Sequence, residues 1–211
     1  MLIISVLHAQ SDSVSVQKEK KYGLRIGYDI GKKIWSRYKG GNIDEFNLHF
    51  SYKNHIIGVI AGKEDMIYDS ERYNFSTNGT YFKLEYAYNF YENWEGTENE
   101  ITLGIRYGHA SFDYVLHKFQ RIPASTVLPA VYEYPEKTYS GLHAHWLEVV
   151  SSIRAEIFHG LYLELHVSGK YFIKGTQPEN FGMVYVPGFY TTNISHFGFG
   201  LGYGISYHFG F

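Results

Sequence analysis

Hydrophobic and polar residues alternate with a period of two through most of this chain. From His196 to Phe211 the odd positions Phe197, Phe199, Leu201, Tyr203, Ile205, Tyr207 and Phe209 are apolar or aromatic, and Gly198, Gly200, Gly202, Gly204, Ser206 and His208 lie between them. That pattern predicts a β-strand with one greasy face, longer than the usual five or six residues. It recurs at Tyr22–Gly31, Phe46–Tyr52, Ile57–Gly62, Thr80–Phe90, Glu100–Ala110, His145–Ile157 and Leu161–Phe172. Between these runs, 32–45, 63–79, 111–142 and 174–194 read as long loops. Lys53-Asn54-His55-Ile56, the segment after Phe90 and Phe158-His159-Gly160 read as short turns, the last a three-residue hairpin with Gly in the left-handed position.

Eight strands with long and short connections in alternation predict an all-β, eight-stranded antiparallel up-and-down transmembrane β-barrel. Its long loops are extracellular and its short turns periplasmic, with both termini at the short-turn side. The greasy face then meets lipid and the other face fills the lumen. A soluble lipocalin-like barrel, apolar inside, would put the charged face in solvent, where its opposite charges would have no reason to align.

The lumen face on this register carries Arg25, Lys83, Arg106, Arg154 and Lys170 against Asp29, Glu85, Glu148, Glu156 and Glu164. The hairpin at 158–160 sets Arg154 opposite Glu164 and Glu148 opposite Lys170, and pairing of the fourth and fifth strands sets Glu85 opposite Arg106. Opposite charges across strands stabilise a register, and an eight-stranded interior is just wide enough for side chains to fill. The expectation is a lumen plugged by ion pairs. A selective channel would show one sign of charge.

Composition agrees: 21 Tyr, 15 Phe and 22 Gly stand against 5 Pro and 3 Met in 211 residues. No run approaches the length of a helical membrane span. A net charge of -2 without a long basic run argues against nucleic acid as a partner, and the absence of cysteine excludes disulfides and thiolate metal sites. No cofactor is called for. Residues 1–10, MLIISVLHAQ, read as the remnant of a signal peptide, 11–20 as a periplasmic lead-in and 21–211 as the barrel domain.

Candidate chemistry is sparse. His109 and Ser111 share one face at the outer end of the fifth strand, which resembles the His-x-Ser arrangement of outer-membrane lipid A deacylases. A Ser nucleophile also needs an orienting acid, and only Asp113 shares that face. His143 and His145 offer two metal ligands with no third. Trp35, Trp94 and Trp146 are expected as interface anchors. The run Phe181, Tyr185, Phe189 and Tyr190 is too apolar for a solvated loop, so it is expected to fold onto the barrel mouth or onto a partner.

The terminal Phe211, closing an alternating aromatic strand, resembles the C-terminal assembly signal of bacterial outer-membrane barrels. The segments NGTYFKLEYAYNFYENWEGTENEITLGIRYG and QPENFGMVYVPGFYTTN are similar to a family of small Bacteroidota outer-membrane barrels of unknown function. That resemblance implies location and fold and supplies no catalytic residues. The readings left are a non-enzymatic barrel contacting lipid and a larger outer-membrane complex, a rim-sited lipid hydrolase, and a surface adhesin using the 111–142 segment.

Overall fold

The computed structural model describes residues 22–71, 73–92, 99–121, 131–133, 136–176, 185–191 and 196–210. The expected leader and lead-in, Trp94 and Phe181 lie outside these residues. In chain order the elements are β1 (Gly23–Tyr28), α1 (Ile30–Tyr38), β2 (Asn42–Tyr52), β3 (His55–Asp69), β4 (Tyr73–Asn89) and β5 (Glu100–Arg121). They continue with β6 (Val131–Glu133), β7 (Lys137–Phe158), β8 (Leu161–Gly175), β9 (Tyr185–Val186), β10 (Tyr190–Thr191) and β11 (Phe197–Gly210).

β1, β2, β3, β4, β5, β7, β8 and β11 pair antiparallel in succession, and β11 returns to β1, so the sheet closes into an eight-stranded barrel. One row of the register runs Tyr207, Ile26, Leu48, Val59, Leu84, Tyr107, Leu147, Tyr171 and back onto β11 at Phe197. All nine residues face outward. The row re-enters β11 ten residues from where it left, the stagger that tilts strands by roughly 35–45° in a closed barrel. The apolar outer residues of each strand form a continuous belt, interrupted only by small ones such as Ala61 and Gly169.

Tight turns at 53–54 and 159–160 share one rim with the start of β1 and the end of β11, because Gly23 pairs with both Ser51 and Gly210; His55 and Ile56, expected in the first turn, already belong to β3, whose ladder with β2 they extend. The second turn has two residues, since Phe158 pairs with Leu161, so the expected three-residue hairpin is corrected; Gly160 takes φ +76° there. At the opposite rim the strands outrun the sequence pattern. Segments 63–79 and 111–142, read as loops, are largely strand: β3 and β4 pair as far as Asp69 and Asn74, β5 reaches Arg121, and β7 begins at Lys137.

The first long loop is also corrected. The first strand stops at Tyr28, and Asp29 caps α1 by accepting the Lys32 N–H at 2.8 Å. The helix ends at Tyr38 with Lys39 as its cap, and Gly40 turns the chain away at φ +78°, a backbone conformation that glycine takes at little cost. Because β1 is short, β11 pairs with it only from Ile205 to Gly210, while Phe197–Gly204 has its strand partner, β8, on one side. The helix lies in that seam against β2 and β11. Gly31 permits it: a Cβ there would come 3.1–3.2 Å from the backbone and Cβ of Tyr203. Lys32 and Ser36, four residues apart on the helix, are buried, whereas Ile34 and Tyr38 are 65% and 84% exposed.

Candidate functional site

Inside the barrel two layers fill the lumen. The lower and middle layer is ionic. Arg25 donates two hydrogen bonds to Glu100, at 3.0 and 2.7 Å; Glu100 also accepts from Arg154 at 3.3 Å, and Arg154 pairs with Glu164 at 3.0 Å. A second chain of contacts runs from Arg106 and Glu85 to Glu148 (3.7 Å from Arg106), Lys83 (3.3 Å) and Glu45 (3.6 Å). From Glu45 it continues to Lys32 and Asp29, the last two 3.4 Å apart. Seven buried carboxylates thus face six buried Lys and Arg side chains among the described residues.

Arg154 stands opposite Glu164, Glu148 opposite Lys170 and Glu85 opposite Arg106. Nine of the ten expected network residues are buried; Glu156 sits at the rim, where its carboxylate accepts the Gly160 N–H at 2.8 Å and so serves the turn. The sequence reading missed Lys32, Glu45, Glu64 and Glu100. The first three lie in segments taken for loops. Glu100 fell at a strand end, where only its even-position parity with Arg106 and Arg154 marks it as inward.

Above the ionic layer lies an aromatic one. Phe75, Tyr81, Phe112, Tyr114, Trp146 and Phe172 converge on Tyr185, Val186 and Phe189. These last three belong to a hairpin, β9–β10, packed inside the barrel toward the end opposite the tight turns. Tyr185 and Phe189 are at most 2% exposed, and Tyr190 packs against the same cluster. Two ionisable groups latch the hairpin. Glu64 accepts from the Tyr185 hydroxyl and from the Gly188 N–H at 3.1 Å. Lys170 donates to the carbonyl oxygens of Gly188 at 2.8 Å and Phe189 at 3.4 Å. Gly188 takes φ +77° over the face of Tyr81, where a Cβ would meet the ring at 2.7 Å.

Trp146 is not an interface anchor. It is fully buried, its indole N–H donates to Glu148 at 2.7 Å, and its ring meets Phe189 edge-on. An inward Trp needs a partner for that N–H, and Glu148 two residues along the same face supplies one. Trp35 is 42% exposed on α1 and touches Tyr190 of the hairpin.

His109, Ser111, His143 and His145 all face outward near the outer edge of the belt. His109 stands across from His145, and Ser111 from His143. The His109 ring stacks on His143 at 5.7 Å and lies 4.6 Å from His145, which is hydrogen-bonded to Tyr107 at 2.7 Å. Among the described residues no hydrogen bond joins His109 to Ser111, and Asp113 instead accepts the Gly141 N–H at 2.8 Å. Among the same residues no group of three ligands there holds a metal-binding geometry.

A family model described as a domain of unknown function (DUF6048) matches residues 2–211. No curated protein matches the chain. Among solved structures, the N-terminal β-barrel domain of Pseudomonas aeruginosa OprF is similar at 8% identity and a TM-score of 0.46, over 90% of this chain and 98% of that one. Neisserial surface protein A is similar at 11% identity and 0.47, over 89% and 96%. A major outer membrane protein from Thermus thermophilus is similar at 12% identity and 0.45, over 90% and 98%.

Proposed function

The chain belongs to the DUF6048 family, and we propose that this member is a non-conducting, non-enzymatic barrel of the bacterial outer membrane, working as a structural or accessory component there. The observation that carries the reading is the contrast between the two faces. Outside, residues such as Leu48, Ile105, Val149 and Leu201 stay 45–63% exposed on a closed wall, which is stable only where lipid covers it. Inside, ion pairs and a latched aromatic hairpin fill the lumen, with both signs of charge in near balance. A pore would need water and a continuous path.

The hydrolase reading lacks its first requirement, a nucleophile hydrogen-bonded to its base. We assign the tight-turn rim, where β1 begins and β11 ends, to the periplasm, where short turns of such barrels lie. The exposed Ile34 and Tyr38 of α1 and Phe197 and Phe199 of β11 give the seam an apolar outer patch, the surface most suited to a second barrel of a complex.

Reconstitution into planar bilayers tests the central claim. The expected record is a flat baseline at concentrations where a porin inserts and steps. Unitary steps from the folded protein, with heat-modifiable gel migration as proof of folding, would overturn it. Cross-linking in intact membranes through a photoreactive residue at Tyr38 tests the accessory role. A discrete adduct supports it, and reaction with lipid alone removes it.

A further inference from the structure

The outer wall carries a polar arc that the plugged-barrel reading does not use. Immediately above the apolar residues Phe82, Tyr107 and Leu147, the outward positions are Lys63 on β3, Thr80 on β4, His109 and Ser111 on β5, and His143 and His145 on β7. They are neighbours through the register: Lys63 pairs with Thr80, Thr80 with Ser111 and Ser111 with His143, while His109 pairs with His145 and His145 with Lys174 of β8. Below the arc a shallow groove crosses Ala61, the one small residue between Phe46 and Phe82, and it ends at Lys63, His109 and Ser111.

Resting on the membrane reading above, we propose that this arc and groove form a binding site for a phosphate-bearing lipid of the outer leaflet, with the acyl chain over Ala61 and the phosphate among the histidines. The site stands where headgroups stand, at the upper edge of the belt. Its donors are of the right kind: two lysines, two hydroxyls and three imidazoles, whose ring N–H groups can donate to phosphate oxygens. The His109 and His143 rings lie 13° from parallel, and among the described residues no set of three ligands gathers there around a single ion.

The acids nearby are already engaged or set higher. Asp44, on β2 at the side of the groove, is held by Lys33 at 2.6 Å and by the Tyr28 hydroxyl at 2.7 Å. Asp65 and Asp113 form the next row up, both across from Asn78. His145 has His109 and Lys174 across the strands and His143 two residues along its own, so positive charge gathered at this spot repels itself. Tyr107 is its hydrogen-bond partner. A phosphate would offset that repulsion, so binding should strengthen as pH falls toward the range where free imidazole charges.

The test uses the full barrel in nanodiscs doped with phosphatidic acid or with diacylglycerol of the same chains, and reads retained lipid by native mass spectrometry. Expected is preferential retention of phosphatidic acid, tighter at mildly acidic pH, and a loss of about tenfold in a triple variant with His109→Gln, His143→Gln and His145→Gln. Equal retention of both lipids, or an unaffected triple variant, overturns the site. Displacement by inorganic phosphate alone at comparable concentration overturns its lipid character. Heat-modifiable migration separates the two claims. A wild-type protein that never shows it counts against the membrane barrel itself, whereas a shifting barrel without lipid preference sinks only the site.

Discussion

Glu100 is the residue on which the lower lumen turns, because its one carboxylate serves both Arg25 and Arg154. Breaking a buried ion pair from one side leaves uncompensated charge, so Glu100→Gln should cost about 3–5 kcal/mol of unfolding free energy, read by urea titration in micelles. Replacing Arg25 by Met as well should restore part of the loss. Gly202 is the opposite case, a missing side chain that makes room for others. A Cβ there would come within 2.2–2.3 Å of the His166 ring and 2.7 Å of Asp29. Gly202→Leu should therefore cost about 1–3 kcal/mol through overpacking, more than the lipid-facing Leu201→Val. Equal effects in folding yield would count against the register.

Among elements, the β9–β10 hairpin is the most exposed to test. Gly188→Ala combines a left-handed backbone with a collision at the Tyr81 ring, so it should undock the hairpin and leave the barrel closed. Limited proteolysis near 185–191 should become faster while heat-modifiable migration stays unchanged. The elements also show how much of the architecture was legible. Alternation located all eight strands wherever the outer face is apolar, and parity then identified nine buried members of the lumen network. Past the belt the outer face turns polar, as at Lys63, Asp65, Asn78 and Asp113, and the contrast between faces vanishes. The inward Glu64, Phe75, Phe112 and Tyr114 were lost with it. Helix α1 left no recognisable trace, being nine residues with a glycine, although Asp29 three residues before Lys32 is a capping signal that could have been taken.

At the scale of the whole molecule, the wall is uneven around its circumference. β4 and β5 are 17 and 22 residues long, but β1, the strand that closes the ring, has six. The polar anchors of α1 go to β2, through Lys33 to Asn42 and Asp44 and through Ser36 to the Ile43 N–H, while Gly31 meets β11 by van der Waals contact. The barrel therefore has a preferred line of mechanical failure. Drawn out by its N-terminal end in single-molecule force spectroscopy, it should surrender β1 at the lowest force and then resist as a seven-stranded sheet. Ile26→Pro, which removes a ladder donor from β1, should lower only that first rupture.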